Sequence, residues 1–217
     1  LILDLNFEDK NVVIVGGGAE GYRKTLSFLD AGSKILVVSR TFSKGIKELH
    51  QAKKIDLLKI DIKDGEDFVD SLDPKPYLFL AVTSDHNLNL KLAKHAKSLG
   101  CMIYMTDNPS ISDFILPAVT KIGNVKIAVS TNGKSPAMAR VLRKRIERII
   151  TREDMLQINL QNNTRTILKQ RISDQKVRKK ILRRILDDDQ IKRLLKASEF
   201  DKAQRVALKI LKETKPQ

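Results

Sequence analysis

Cysteine is nearly missing from these 217 residues: Cys101 stands alone, so no disulfide closes within the chain. Tryptophan is absent, and the three aromatic residue types together make up 5% of the sequence. That is thin for the stacked-base modes of RNA recognition, none of whose sequence signatures occurs, and nucleic acid is not an expected partner. Histidine occurs only at His50, His86 and His95, without the His/Cys spacing of a structural zinc site, and no resident metal is expected. The sequence has no run of about 18 apolar residues and no basic-then-apolar leader. No membrane association is therefore expected, and the cytoplasm is the expected compartment.

Apolar residues make up 41% of the chain, enough for a soluble globular protein of one or two domains. Charge is unevenly placed. Residues 134–217 carry 24 Lys/Arg against 10 Asp/Glu, whereas residues 1–133 carry 17 against 16. A cationic half of this kind suits nucleic acid, a membrane surface or a polycarboxylate ligand, and equally a solvated lysine-rich helical face.

The most informative segment is NVVIV, residues 11–15, running into Gly16, Gly17, Gly18, Ala19, Glu20 and Gly21. Such a strand-to-helix turn suits a dinucleotide pyrophosphate. Gly16 makes the tight turn, Gly18 removes the β-carbon that would block the phosphates, and Gly21 lets the helix pack on the strand. The phosphates then face a helix N-terminus. A helix is expected over 22–31, strands over 34–39, 55–60, 77–83 and 102–105, and a helix over 87–99. This alternation predicts an α/β, Rossmann-like doubly wound parallel sheet with ligands at the carboxyl ends of the strands. Antiparallel strands are expected over 115–120 and 125–130, then a helix from Ser135-Pro136 to about 150. Helices follow over 152–171, 174–186, 188–197 and 199–213. The domain reading is a dinucleotide-binding domain over 1–112, a central α+β dimerisation region over 113–150 and a basic helical domain over 151–217.

Chemistry is expected at the carboxyl ends of the strands. Strand two ends in Ser39-Arg40 rather than in the acidic residue that grips an NAD ribose. Arg40 either accommodates a 2′-phosphate, which keeps NADP open beside NAD, or stays solvated. Thr83 and Ser84 close strand four, where the nicotinamide half passes, and Asp85 reads as a helix cap. Asp107 follows strand five, where a carboxylate serves as general base or metal ligand, although Asp-Asn-Pro is also turn chemistry. Asn108 beside it is assigned to the substrate, and Asp113 to fixing the loop. Gly133-Lys134-Ser135 is not the end of a Walker loop, because Ala128 stands where its first glycine is required. The helix start flanked by Ser130, Thr131 and Lys134 remains suited to carboxylates.

Taken in order, LILDLNFEDKNVVIVGGG, AVTSDHNLN, YMTDNPSISDFILPA and KIAVSTNGKSPAMARVLRKRIE resemble the family of precorrin-2 dehydrogenases and sirohydrochlorin ferrochelatases that make siroheme. The resemblance covers roughly residues 1–150. It implies NAD-dependent oxidation of precorrin-2 to sirohydrochlorin, insertion of Fe²⁺ in some members, and a homodimer. By position it implies that Asp107 takes part in catalysis, that Asn89 matches a family asparagine, and that Ser130, Thr131, Gly133 and Lys134 border the tetrapyrrole pocket. Gly21, Ser39-Arg40 and Asn132 depart from the family pattern. The multiple carboxylates of the substrate suit the cationic half, whose helices are expected to cover the tetrapyrrole site. His86, near the end of strand four, reads as an exposed loop residue, the alternative being an extra metal ligand. The competing reading is a regulatory NAD(P)-binding sensor without catalysis.

Overall fold

The computed structural model describes residues 2–213. Two compact units divide between Leu116 and Pro117.

In the first unit the order is β1 (Asn11–Val15), α1 (Ala19–Leu29), β2 (Lys34–Ser39), α2 (Lys44–Gln51), β3 (Asp56–Lys59), α3 (Gly65–Asp70), β4 (Leu78–Ala81), α4 (His86–Ser98) and β5 (Met102–Met105). The five strands form one parallel sheet in the order β3-β2-β1-β4-β5. Its central strands are buried on both faces, and the two-residue period of a strand divides their side chains between two cores. Val13, Val15, Phe79 and Ala81 pack with Leu92 and Ala96 of α4 and Phe68 of α3. Val12, Ile14, Leu78 and Leu80 pack with Phe28 of α1 and Ile46 of α2 on the other side. After β3 the chain crosses to the opposite side of β1, so the strand order reverses between β1 and β4. Ligands of doubly wound sheets bind above such a reversal.

Several expected bounds shift. Strand four ends at Ala81, because Val82 makes its last sheet hydrogen bond, to Val15 O at 2.9 Å, before Thr83 turns away to Asn89. Thr83 and Ser84 therefore lie in the loop. The helices α2 and α3 fall where no helix is expected; they are short, and α2 buries only Ile46. Residue 86 opens α4, capped by Asp85, whose carboxylate accepts from Leu88 N at 3.0 Å. His86 is therefore the first residue of a helix, not a loop residue.

In the second unit β6 (Ala118–Ile122) and β7 (Val125–Val129) form an antiparallel hairpin. The first strand begins three residues later than expected: Pro117, which lacks an amide hydrogen, precedes it, and Ala118 already faces Val129. Helix α5 (Pro136–Glu147) follows, its cap Ser135 accepting from Met138 N. Among residues 117–150 only Ala139 is buried, while Val119, Val141 and Ile149 are 55%, 40% and 70% exposed. Four further helices, α6 (Arg152–Arg171), α7 (Gln175–Asp187), α8 (Asp189–Lys196) and α9 (Phe200–Glu213), enclose a core of their own around Leu160, Leu168, Ile185, Ile191 and Ala207. No helix among the described residues is long and apolar enough to cross a membrane.

Candidate functional site

The glycine turn begins where β1 stops. Gly16 N donates to Val38 O at 2.9 Å, and Gly16 has φ +134°. A β-carbon there would lie 2.7 Å from Val82 O, so the turn is wedged between the ends of β2 and β4. One at Gly21 would meet Gly16 O at 1.9 Å, which is why α1 can start so close to the strand. Gly18 is different: a β-carbon there would meet no protein atom within 4 Å. Internal packing does not require that glycine, whereas close approach of a ligand does. Gly18 is also the N-cap of α1 and supplies no side-chain acceptor, so the first-turn NH groups are left for an anion. These residues fit a dinucleotide pyrophosphate.

Ala19 is the exposed first residue of α1. Glu20 pairs with Arg23 and, at 3.3 Å, with Lys24. Lys24, 14% exposed, also donates to Tyr104 Oη at 2.9 Å. Glu20 is thus neutralised locally and does not oppose an anion at the turn.

Next to the turn, across the strand reversal, a polar cluster ties the ends of β4 and β5 together. Asn89, 1% exposed on α4, accepts from Thr83 N at 3.1 Å and Thr83 Oγ1 at 2.6 Å, and donates to Thr83 O at 3.0 Å. Its amide also donates to Asp107 Oδ2 at 3.2 Å. The same carboxylate oxygen lies 2.7 Å from His86 Nδ1. Partial burial pushes the Asp107 carboxyl up, but the hydrogen bonds from His86 and Asn89 outweigh it and hold the group below the usual carboxylate range. Asp107 is therefore an anchored anion at neutral pH. Ser84, next to Thr83 in sequence, is exposed in the loop after β4.

The segment after β5 folds back on that strand. Asp113 Oδ2 accepts from Ile103 N at 2.8 Å, and its other oxygen pairs with Lys97, so Asp113 fixes the loop. Asn108 accepts from Ser110 Oγ at 2.6 Å within the turn. At the other cofactor end, Ser39 closes β2, and exposed Arg40 follows with its Nε 3.7 Å from Asp61.

Of the residues expected at the tetrapyrrole, Asn108 belongs to the first unit and Ser130, Thr131, Gly133 and Lys134 to the second. Ser130 Oγ accepts from Asn132 N at 3.2 Å, and Thr131 Oγ1 from Ser135 N at 3.0 Å. Asn132 and Gly133 carry φ +51° and +77°, and Lys134 is exposed. Both hydroxyls thus hold the loop in shape before α5.

Residue-by-residue reading missed His86 as the partner of Asp107. The available signal was Asp85: once it is taken as the cap, residue 86 falls at the start of α4, directly after β4 and beside the end of β5. Among the described residues no group of three or more His, Cys, Asp or Glu side chains could hold a metal ion.

Comparison with known proteins agrees with this geometry. An NAD(P)-binding family model matches residues 3–118, and the model for the central part of sirohaem biosynthesis proteins matches residues 123–149. A precorrin-2 dehydrogenase of Methanosarcina barkeri is 33% identical over 192 residues, covering 88% of this chain and 84% of that protein. A siroheme synthase of Methylococcus capsulatus is 32% identical over 206 residues, but there the chain spans 42% of a longer protein. A solved structure, SirC, a precorrin-2 dehydrogenase, shares the fold with a TM-score of 0.75 at 22% identity, covering 99% of this chain and 100% of that one. With a dinucleotide turn, an anchored carboxylate across the strand reversal and a precorrin-2 dehydrogenase 33% identical over 84% of its own length, the chain belongs to the precorrin-2 dehydrogenase family.

Proposed function

We propose that this protein oxidises precorrin-2 to sirohydrochlorin, with a nicotinamide dinucleotide as hydride acceptor, in siroheme biosynthesis. The observation that carries the reading is the shared edge: the glycine turn ends β1, and the Asp107 cluster ends the neighbouring strands β4 and β5. The bound dinucleotide would supply the hydride acceptor. Gly16, Gly17, Gly18, Ala19, Glu20 and Gly21 form its pyrophosphate turn, Ser39 and Arg40 border the adenosine ribose, and Thr83 and Ser84 line the nicotinamide end.

Loss of a hydride leaves positive charge on the macrocycle, and a proton must follow. Asp107, kept ionised by two donors, faces that charge as a fixed anion and takes or passes the proton. The hydrogen bonds that keep it ionised also make it a weaker base, so charge stabilisation is the larger part of its role. Asn108, Ser130, Thr131, Gly133 and Lys134 contact the tetrapyrrole, whose carboxylates suit the cationic second unit. Residues 113–150 form the homodimer contact, supported by the near absence of a core among residues 117–150; residues 151–217 form the basic helical domain. A lone buried cysteine suits the reducing cytoplasm.

The test is anaerobic turnover of precorrin-2 with NAD⁺ and NADP⁺, wild type beside Asp107→Ala, following reduced nicotinamide and the chromophore. Oxidation by the wild type and its loss in the variant support the assignment. Dinucleotide binding without turnover would instead favour a sensor. A parallel incubation of sirohydrochlorin with Fe²⁺ decides whether chelation accompanies oxidation.

A further inference from the structure

Strand β5 is an outer strand of the sheet, so one row of its backbone groups has no strand to pair with. The segment that follows folds back and takes that row. Asp113 N donates to Ile103 O at 2.9 Å, and Asp113 Oδ2 accepts from Ile103 N at 2.8 Å. Ser112 Oγ accepts from Met105 N at 2.9 Å and donates to Met105 O at 3.2 Å. Two side chains thus stand in for a sixth strand. Lys97, in the last turn of α4, adds a second hold: its Nζ pairs with Asp113 and donates to Ile111 O at 3.2 Å. Ile111 itself packs against the core that includes Leu92 and Ala96.

Between these fixings and Asp107 lie only Asn108, Pro109 and Ser110. The ring of Pro109 locks its φ, and Ile111 N closes the turn onto Asn108 O at 3.3 Å. Inside the turn Ser110 Oγ donates to Asn108 Oδ1 at 2.6 Å. The carboxamide is thereby oriented through its oxygen, and Asn108 Nδ2 keeps two donors with no partner among the described residues. Asn108 is partly buried and follows the ionised Asp107 directly. Asp107 repels the carboxylates that rim the macrocycle, so a donor is needed beside it to seat them. A lysine in that place would pair with Asp107 and cancel the charge that faces the reacting ring. A neutral amide donates to a carboxylate and leaves Asp107 an anion.

We infer that Asn108 Nδ2 binds one carboxylate of the tetrapyrrole, that Ser110 is the positioning residue that orients it, and that the Lys97–Asp113 clamp sets the turn before substrate arrives. The inference rests on the dehydrogenase reading above and adds to it the atom that grips the rim of the substrate.

Steady-state kinetics with precorrin-2 and NAD⁺, beside an absorbance titration of the product sirohydrochlorin without dinucleotide, test it. Asn108→Ala and Ser110→Ala should each raise KM for precorrin-2 and Kd for sirohydrochlorin by about tenfold, as loss of a hydrogen bond to a charged group does. In both variants kcat and NAD⁺ affinity change less than about threefold. Ser110→Thr keeps the hydroxyl and stays near wild type, and Lys97→Met gives a smaller rise in the same direction. Neither Asn108 nor Ser110 belongs to a core, and a thermal melt of each variant confirms folding. Unchanged KM and Kd in the two alanine variants, or a fall in kcat alone, overturns the inference and leaves the dehydrogenase reading standing. A wild type that turns over no precorrin-2 overturns that reading and the inference with it.

Discussion

His86 and Asp107 meet at 2.7 Å although 21 residues separate them and they follow different strands. The contact exists because β4 and β5 are neighbours in register, Ala81 opposite Met105, so the residues leaving both ends share one patch of the sheet edge. It gives Asp107 one of the two side-chain hydrogen bonds that lower its carboxyl.

Replacing His86 by Phe removes that donor without removing the carboxylate. The Asp107 carboxyl then rises toward the ordinary value, and the acidic limb of the pH dependence of kcat/KM moves to higher pH. Activity near neutral pH falls less than with Asp107→Ala. An acidic limb that stays in place would show that Asp107 does not govern it.

Gly18→Ala and Gly21→Ala separate ligand approach from packing. A β-carbon at residue 18 meets nothing within 4 Å, so that variant folds with its melting temperature little changed and loses dinucleotide affinity by about tenfold or more. At residue 21 it would lie 1.9 Å from Gly16 O, so that variant loses stability by several kcal/mol or fails to fold. Melting curves and titrations on both variants give the comparison.

Burial is so slight around α5 that the proposed homodimer is testable from one face. Val141→Asp and Ile149→Asp place charge at side chains 40% and 70% exposed in the isolated chain. Sedimentation equilibrium should show the dimer dissociation constant raised at least about a hundredfold, because an unpaired charge at a closed apolar contact costs several kcal/mol. Unchanged association would place the contact elsewhere.

Acid should weaken the fold through identifiable carboxylates. Asp154 is lowered by the backbone and side-chain hydrogen bonds of Thr151 in the capping box of α6, and Asp107 by its two donors against burial. For a carboxyl lower in the folded than in the unfolded chain, the stabilisation is complete above the unfolded value of about 4 and is lost as pH falls through the folded value. Urea midpoints should therefore drop between about pH 5 and pH 2, and Asp154→Asn should make that drop shallower.

Much of this architecture was readable because its elements are long or strongly patterned. NVVIV before the glycines, the apolar β4 and the helices after residue 151 carry their periods plainly. The helix α3 is six residues, three of them acidic, and α2 buries one side chain, so neither offers a period to count. Asp107 was legible as a residue at the end of a strand, but its partners were not. His86 and Asn89 reach it only because β5 lies beside β4, a fact of strand order rather than of local sequence.

Asn89 fastens four things with one amide: the NH, carbonyl and hydroxyl of Thr83, and the Asp107 carboxylate. Each of these groups leaves a strand end, and Asn89 itself is buried in a helix seated on the sheet. The carboxylate is thus aimed by the scaffold and not by the turn at 108–112 that follows it. Changes of length or composition in that turn could reshape what the cleft admits while the aim of Asp107 is kept, so substrate fit and reaction geometry can evolve separately.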